Sequence, residues 1–213
     1  MVQDFSPKLT EGLSSESGSE MDLVSRSLAG DQDAFGILIA QNQARLFHVL
    51  FRLLRDTEDA QDILQEAFLN AFLNLGKFQG HSKFSTWIYR IAVNAAISHK
   101  RKRKPVGGQW DGGGKDNLHE VLASKCKPSD APHFQMETAE KRNEVLTTLN
   151  TLSIEHRSVL ILKDLDNLKY ETIAEILNVP IGTVRSRLNR ARAELRQRLS
   201  NSEDLGKGLE AKQ

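Results

Sequence analysis

A set of polar and basic side chains near the end of the sequence has the spacing i, i+1, i+4 and i+5, which is one outward face of a helix: Arg185, Ser186, Asn189 and Arg190. An arginine on such a face can bind a guanine edge through two hydrogen bonds, worth about 1–3 kcal/mol of discrimination. Six arginines stand against one glutamate between Ile181 and Arg198, whereas a solvated surface helix usually mixes both signs. The pattern therefore favours DNA binding over a charged helix in an ordinary bundle.

The elements that would carry this face form a helix-turn-helix pattern. Apolar residues recur at helical spacing over Tyr170–Leu177 and predict a short amphipathic helix, with Asn167 as its N-cap. Residues 178–180 then break the helix, because the residue before Pro180 is disfavoured in the α region. The apolar side of the second helix consists of Val184, Leu188, Ala191 and Leu195. A second helix of this kind enters the major groove of DNA.

The composition of the whole chain predicts an all-α protein. Its 213 residues have room for one large or two small domains, and the net charge of +1 means that acidic residues elsewhere balance the basic helix. A single cysteine, Cys126, excludes an internal disulfide framework. Because no apolar run approaches the roughly 18 residues of a membrane span, we expect a soluble, intracellular protein.

The first part of the chain predicts a helical domain over residues 21–104. Residues 1–20 are rich in Ser, Gly and Glu and predict a disordered acidic tail. A helical pattern starts near Met21 and breaks at Gly30, where Asp31 or Asp33 would cap the next helix. That helix is expected to continue for about six turns, through Leu54.

An acidic helix follows, with Thr57 as the expected N-cap and an inner face of Ala60, Ile63, Leu64, Ala67, Phe68, Ala71 and Phe72. Its outer face carries Asp56, Glu58, Asp59, Asp62 and Glu66. Acidic residues near a helix N-terminus interact favourably with the positive end of the helix macrodipole. This explains Glu58 and Asp59 but not Glu66, which lies two turns further along the helix. Gln65 and Glu66 therefore lie either on a protein docking face or on a solvated one, and spacing leaves both open.

A loop, Phe78 to Phe84, leads into a helix that ends in five consecutive cations, residues 100–104. Trp87, Ile88, Ile91, Ala92 and Ala95 form the expected core stripe, and Tyr89, Arg90 and Asn94 fall outside it. Because an aromatic loop, an exposed Asn and a basic end can hold bases and phosphates, this region resembles a site for single-stranded nucleic acid.

Residues 105–136 are glycine-rich and polar, and they predict a flexible linker that would let two domains lie far apart. His119, Cys126 and His133 lack the spacing of a metal site, so no metal is expected. Helices resume over 137–199, where Ser153 would cap Ile154–Lys163 with His156 and Arg157 facing outward. Residues 200–213 predict a polar tail.

The motifs DILQEAFLNAF, FSTWIYRIAVN and LSIEHRSVLILKDLDNLKYETIAEILNVPIGTVRSRLNRARAEL occur in this order and resemble bacterial sigma factors. The resemblance is to the extracytoplasmic-function (ECF) branch of the sigma-70 family, which keeps the second and fourth conserved regions. It covers roughly residues 21–104 and 137–199. It implies two small helical domains joined by a linker, a role in transcription initiation, and no cofactor.

The resemblance also implies roles for individual residues. The acidic helix would bind the coiled coil of the RNA polymerase clamp through Asp59, Asp62, Gln65 and Glu66. The minus-ten promoter element would be recognised, and one of its bases captured, by Phe78, His81, Lys83, Phe84, Arg90, Asn94 and Arg101. The minus-thirty-five element would face Arg185, Ser186, Asn189 and Arg190, with Gly182 and Thr183 near its phosphates. The partners implied are core RNA polymerase, promoter DNA and an anti-sigma factor.

Two other classes of protein stay open from the residues alone. An autonomous helix-turn-helix regulator would bind duplex DNA as a dimer, and the aromatic and basic helix at residues 84–104 argues against it. A nuclease would need clustered metal ligands, and the only acidic cluster, at Asp56–Glu66, has no histidine. No nucleophile–base pair or phosphate loop is evident in the sequence, so we do not expect an enzyme.

Overall fold

The computed structural model describes residues 19–103 and 143–210, with side chains up to residue 201 in the last helix. Regular structure within these ranges is helical, as the composition predicted. The expectations for the tail before residue 19 and for the linker at 105–136, including His119, Cys126 and His133, lie outside the described residues. Among the described helices, none combines the length and the apolar composition that a membrane span requires.

The first unit (residues 19–103) consists of α1 (Glu20–Leu28), α2 (Gln32–Leu54), α3 (Thr57–Leu73), a 3-10 turn (Leu75–Lys77) and α4 (Phe84–Lys102). Helix α2 packs against α1, α3 and α4, and α3 packs against α4. Leu38, Leu46, Leu50 and Leu53 of α2 are completely buried, because they recur on one side of this helix and face its three neighbours.

The helix starts follow local capping chemistry, with two corrections to the sequence analysis. Asp31 caps α2, and its side chain accepts a hydrogen bond from the backbone N–H of Ala34 at 3.1 Å. Helix α3 is capped by Asp56 and not by Thr57, because Asp56 has extended backbone angles and accepts from the N–H of Asp59 at 3.0 Å. Asn167 is also not a cap: it has a left-handed φ of 54°, and Lys169 precedes Tyr170 without a side-chain cap.

The second unit (residues 143–210) contains α5 (143–151), α6 (Ile154–Leu160), which continues as a π-helical turn (Ile161–Leu165), α7 (Tyr170–Leu177) and α8 (Ile181–Glu210). Ser153 caps α6 as predicted, accepting from the N–H of His156 at 3.2 Å. The α-helix was predicted to run over Ile154–Lys163, but its α-helical geometry ends at Leu160 and a π-helical turn follows. Helix α8 also continues to Glu210, although a polar tail was predicted from residue 200.

The two units pack against each other, and their buried side chains form one continuous apolar cluster. The main contact joins α4 to α7, and smaller contacts join α2 and α4 to α6. The linker predicted at residues 105–136 is long enough for the two units to lie far apart, but in the structure they are in contact. This packing explains why two residues expected outside the core, Tyr89 and Arg157, are each only 4% exposed.

Arg157 was expected to face outward and is buried instead. Its Nη1 donates to the carbonyl of Leu53 in the first unit at 2.9 Å, and its Nε donates to the carbonyl of Leu149 at 3.1 Å. Its Nη2 donates to the carbonyls of Asn150 and Leu152. Burial, and secondarily the charge of Arg55, lower the pKa of Arg157 to about 10. The guanidinium thus stabilises the junction between the units through main-chain acceptors.

Candidate nucleic-acid interface

The helix-turn-helix has the geometry that the sequence predicted. Asn178 closes α7 with a left-handed φ of 51°. The carbonyl of Pro180 then accepts from the N–H of Thr183 at 2.8 Å and from that of Val184 at 3.2 Å, so Pro180 occupies the cap position of α8. Val184, Leu188 and Ala191 are buried, which fixes the rotation of α8 against the rest of the second unit. The opposite side of α8 is therefore left for a partner.

All four residues predicted for the outward face of α8 are exposed: Arg185, Ser186, Asn189 and Arg190. At the start of the helix Gly182 is exposed and Thr183 is half-buried. The guanidinium carbon of Arg185 lies 5.9 Å from the centre of the Tyr170 ring. Among the described residues, neither Arg185 nor Arg190 has a carboxylate partner. Both charges can therefore meet DNA without first breaking an ion pair.

The flanking arginines of α8 differ from this face, because several of them are paired within the protein. Arg192 Nε donates to Asp164 at 3.0 Å, and Arg198 Nη2 lies 2.5 Å from Glu194. Glu194 also contacts His156 Nδ1 at 2.8 Å. The hydrogen bond with His156, followed by that with Arg198, lowers the pKa of the Glu194 carboxyl. Two of the flanking arginines are thus engaged within the protein, whereas both arginines of the predicted recognition face are without a carboxylate partner among the described residues.

The outer face of α3 carries a further exposed surface. Asp62, Gln65 and Glu66 are exposed, as the docking hypothesis requires. The same face continues with Leu69 and Leu73, which are 59% and 68% exposed. These leucines were not among the residues predicted for this face, although their spacing of four and eight residues from Gln65 places them on this side of the helix. We call Asp62, Gln65, Glu66, Leu69 and Leu73 the α3 face.

Two further residues of α3 differ from their predicted surroundings. Phe72 was expected in the core and is 48% exposed, although its ring still meets that of Phe35 edge-on at 5.2 Å. Asp59 was grouped with the docking residues, but it contacts Arg103 Nη1 at 2.5 Å and His99 Nε2 at 3.8 Å at the end of α4. Asp59 therefore joins the start of α3 to the end of α4.

The loop before α4 places its aromatic and polar residues differently. Phe84 is completely buried and Phe78 nearly so, because their rings pack on each other at 6.0 Å and on Trp87 at 5.7 and 5.3 Å. Neither ring presents a face to solvent in this arrangement. His81 and Lys83 are exposed on the loop. The side chain of Glu20 accepts from the N–H of Phe84, so α1 caps the start of α4.

The remaining residues predicted for the minus-ten element lie along α4. Arg90 is exposed and Asn94 is half-buried. The Asn94 side-chain amide donates to the carbonyl of Arg90 at 2.8 Å and to that of Ile176 in α7 at 2.9 Å. Arg101 Nη2 lies 2.7 Å from Glu155 of α6. Within the described residues, no group of His, Cys, Asp and Glu is arranged to hold a metal ion.

Comparison with known proteins decides the family. Residues 38–106 match Sigma-70 region 2, and residues 142–195 match Sigma-70, region 4. The chain is 36% identical over 177 residues to the ECF RNA polymerase sigma factor SigW of Bacillus subtilis strain 168, covering 80% of this chain and 91% of SigW. The chain is an ECF sigma factor of the sigma-70 family. This sigma factor is also 37% identical over 180 residues to the ECF RNA polymerase sigma-E factor of Escherichia coli K12, covering 84% and 93% of the two chains.

Two solved structures share the fold of this sigma factor. CnrH in complex with the cytosolic domain of CnrY superposes with a TM-score of 0.63 at 22% identity, covering 86% of this chain and 99% of CnrH. The sigma factor RpoE of Bartonella quintana, in complex with the anti-sigma factor NepR, gives a TM-score of 0.54 at 24% identity, covering 78% and 96%. These likenesses confirm the predicted all-α fold, and the sequence matches confirm the predicted role in transcription initiation.

Proposed function

We propose that this sigma factor binds core RNA polymerase through the α3 face, directs it to promoters through α4 and α8, and assists strand opening. The observation that carries the proposal is the exposed face of Arg185, Ser186, Asn189 and Arg190 on an intact helix-turn-helix. Base edges in the major groove are read by such a helix, and in this family the target is the minus-thirty-five element. Gly182 and Thr183 at the start of α8 would lie near phosphates, which helix N-termini favour.

The proposed minus-ten contacts are His81 and Lys83 of the loop and Arg90, Asn94 and Arg101 of α4. The burial of Phe78 and Phe84 argues against direct stacking of a base on either ring, so we assign them the support of the loop. Extruding a base costs a few kcal/mol, and a capture pocket returns a similar amount, about 1–3 kcal/mol per base. The sigma factor alone has little margin for melting DNA, so the polymerase must supply the rest.

This division of work makes the protein a specificity subunit and not an enzyme. It would act in the cytoplasm, where the polymerase and the promoters are. CnrH and RpoE of Bartonella quintana were both solved with partner proteins bound, CnrY and the anti-sigma factor NepR. By analogy we propose that this sigma factor is restrained by an anti-sigma factor until a signal releases it.

Transcription in a purified system tests the proposal. The sigma factor and core polymerase are incubated with fragments of the source organism's DNA, and the starts of the transcripts are mapped. We expect discrete starts that share two upstream elements and that disappear when Arg185, Ser186, Asn189 and Arg190 are all replaced by Ala. An autonomous regulator would instead bind duplex DNA without polymerase and would add no new starts, which would refute the proposal.

A further inference from the structure

A carboxylate outside α8 is paired with one of the arginines of this helix. Asp164 lies in the π-helical turn that follows α6, and its two carboxylate oxygens accept from Arg192 Nε at 3.0 Å and from Arg192 Nη2 at 2.5 Å. Two such hydrogen bonds form the bidentate geometry that guanidinium and carboxylate groups favour. The side chains of Arg192 and Asp164 are 42% and 35% exposed, so the pair lies at the surface of the second unit.

Arg192 extends the side of α8 that carries the predicted recognition face. It lies seven residues, or about two helical turns and about 10 Å, beyond Arg185, and therefore on the same side of the helix. A recognition helix lies in the major groove, and Arg and Lys side chains bind the phosphates that border this groove. Without Asp164, Arg192 would therefore be able to add one phosphate contact to those of α8.

The pairing with Asp164 leaves Arg192 with little to offer to DNA. Arg192 and Asp164 together have no net charge, whereas the salt-dependent part of DNA affinity comes from cationic charge that neutralises phosphates. A phosphate that approached Arg192 would also meet the like charge of Asp164. Arg185 and Arg190 of the predicted recognition face have no carboxylate partner among the described residues, so their charges stay available.

The element that carries Asp164 is anchored on both sides. The first two residues of the π-helical turn are buried in the core. Lys163, the next residue, donates from Nζ to the carbonyl of Leu168 at 3.1 Å. Asp164 therefore extends toward α8 from a fixed piece of backbone. Such π-helical turns frequently occur at functional sites, and here the turn supplies the partner of Arg192.

We propose that Asp164 withholds Arg192 from DNA phosphates and thereby limits the affinity of this sigma factor for DNA of any sequence. The inference rests on the proposed function, because it requires that α8 binds the minus-thirty-five element. A phosphate contact carries no sequence information, so it strengthens binding to wrong sites as well as to promoters. Because a genome offers about 10⁶–10⁹ wrong sites, weaker binding to each of them shortens the search for a promoter.

Replacing Asp164 with Asn tests the proposal in the holoenzyme. The probes are a promoter found by transcript mapping and the same duplex with a scrambled minus-thirty-five element, and affinities are measured by fluorescence anisotropy between about 50 and 200 mM salt. Asp164→Asn should bind both probes about two- to fivefold more tightly at the lowest salt, which is the range of a single exposed charge contact. One additional phosphate contact should steepen the logarithmic dependence of affinity on salt by about 0.9, without changing the ranking of promoter variants.

Three control variants isolate the effect of the Asp164 charge on Arg192. Asp164→Glu keeps a carboxylate and should behave like the parent. Asp33→Asn removes one negative charge from an exposed position on α2 and should leave the salt dependence unchanged. Arg192→Gln combined with Asp164→Asn has no arginine to release, so it should also keep the salt dependence of the parent. If Asp164→Asn does not fold, Asp164→Ser makes the same test.

The sign of the change distinguishes withholding from positioning. If Asp164 instead orients Arg192 toward a phosphate, Asp164→Asn should weaken both complexes and flatten the salt dependence, and the proposal is wrong. An unchanged salt dependence would also overturn it, as would a steeper one that persists when Arg192 is replaced as well. Failure of the proposed function would appear separately, as promoter-specific transcripts that persist when all four residues of the recognition face are replaced by Ala.

Discussion

Tyr170, the first residue of α7, lies against the recognition face of α8, with its ring centre 5.9 Å from the guanidinium carbon of Arg185. Lys163 Nζ lies 5.0 Å from the centre of the same ring. A cation near an aromatic face at an exposed site contributes about 0.5–1 kcal/mol. The ring therefore restricts the orientation of Arg185 before DNA is bound, which lowers the entropy that this side chain loses on binding.

Replacing Tyr170 with Leu should weaken the sequence preference that Arg185 provides. A loss of about 0.5–1 kcal/mol corresponds to a two- to fivefold smaller preference at the base pair that Arg185 contacts. The measurement is a panel of promoter variants transcribed by holoenzyme. Tyr170→Phe keeps the ring and should behave like the parent. A Tyr170→Leu protein with undiminished preference at every position would show that the ring does not orient Arg185.

Arg190 tests whether the recognition face reads bases or only binds phosphates. If Arg190 makes two hydrogen bonds to one base, Arg190→Lys should lose the preference almost as fully as Arg190→Ala, at about 1–3 kcal/mol for that position. A phosphate contact carries no sequence information, and Lys would largely replace it. Competition between matched and mismatched minus-thirty-five elements at two salt concentrations separates the cases. Full recovery by Lys would assign Arg190 to phosphate.

The α3 face should be required for binding to core polymerase. Gln65→Ala combined with Glu66→Lys should abolish co-purification with core polymerase, and Leu69→Ser should weaken it, because each change removes side chains of the α3 face. The fold should survive in both variants, since these positions are exposed and lie outside the core. Asp33→Lys, at an acidic position on α2 that is also exposed, should bind core polymerase normally and is the control for charge. Normal core affinity of the folded double variant would place the docking surface elsewhere.

Removal of the buried guanidinium should strongly destabilise the protein. Arg157→Met removes the guanidinium donor from the carbonyls of Leu53, Asn150 and Leu152, whereas the Leu149 carbonyl keeps its hydrogen bond from the N–H of Leu152. Unsatisfied buried acceptors cost about 1–3 kcal/mol each, so we expect a loss of at least about 3 kcal/mol in the free energy of unfolding. Urea denaturation measures this loss, and Arg157→Lys, which keeps a cationic donor, should recover part of it. A loss below about 1 kcal/mol would mean that water replaces the guanidinium.

Glu194 should make stability depend on pH in the acidic range. The hydrogen bond with His156, helped by Arg198, lowers the pKa of this carboxyl below its ordinary value of 4.5. The Glu194 carboxyl then binds a proton more tightly in the unfolded chain than in the folded one. Its contribution to the free energy of unfolding is therefore present above about pH 4.5 and is lost as the pH falls through the pKa of the folded state. The stability difference between the parent and Glu194→Gln should shrink between about pH 6 and about pH 3 in urea titrations. A pH-independent difference would contradict this assignment.

The helix-turn-helix could be predicted from the sequence because its signals are local. The apolar spacing of α7 and α8 and the break before Pro180 act within a few residues, and the outward face follows from the buried one. The N-cap of α3 could not be predicted from side-chain type, because Asp56 and Thr57 are adjacent and both side chains can cap a helix. The backbone geometry selects Asp56. The error at Thr57 shifts the start of α3 by one residue and leaves the site unchanged.

Residues at the junction between the units could not be placed from local spacing. Arg157 was expected outside the core because it is charged, and its acceptor in the first unit, the Leu53 carbonyl, is 104 residues away. Asn94 meets Ile176 across 82 residues. The aromatic loop was ambiguous for a different reason: Phe78 and Phe84 have the composition of a base-stacking site, but their burial depends on how Trp87 packs between helices.

The junction contacts also predict which positions should change together during evolution. Asn94 and Arg157 donate to main-chain carbonyls of the opposite unit, at Ile176 and Leu53, and every amino acid supplies that carbonyl. Residues 176 and 53 can therefore change among apolar types without loss of the hydrogen bond. For the same reason, a second substitution at position 176 or 53 cannot restore a hydrogen bond that is lost when Asn94 or Arg157 is replaced. Arg45 and Asp166 meet through their side chains. Paired substitutions inherited together are accordingly expected at positions 45 and 166, and not at 94 and 176.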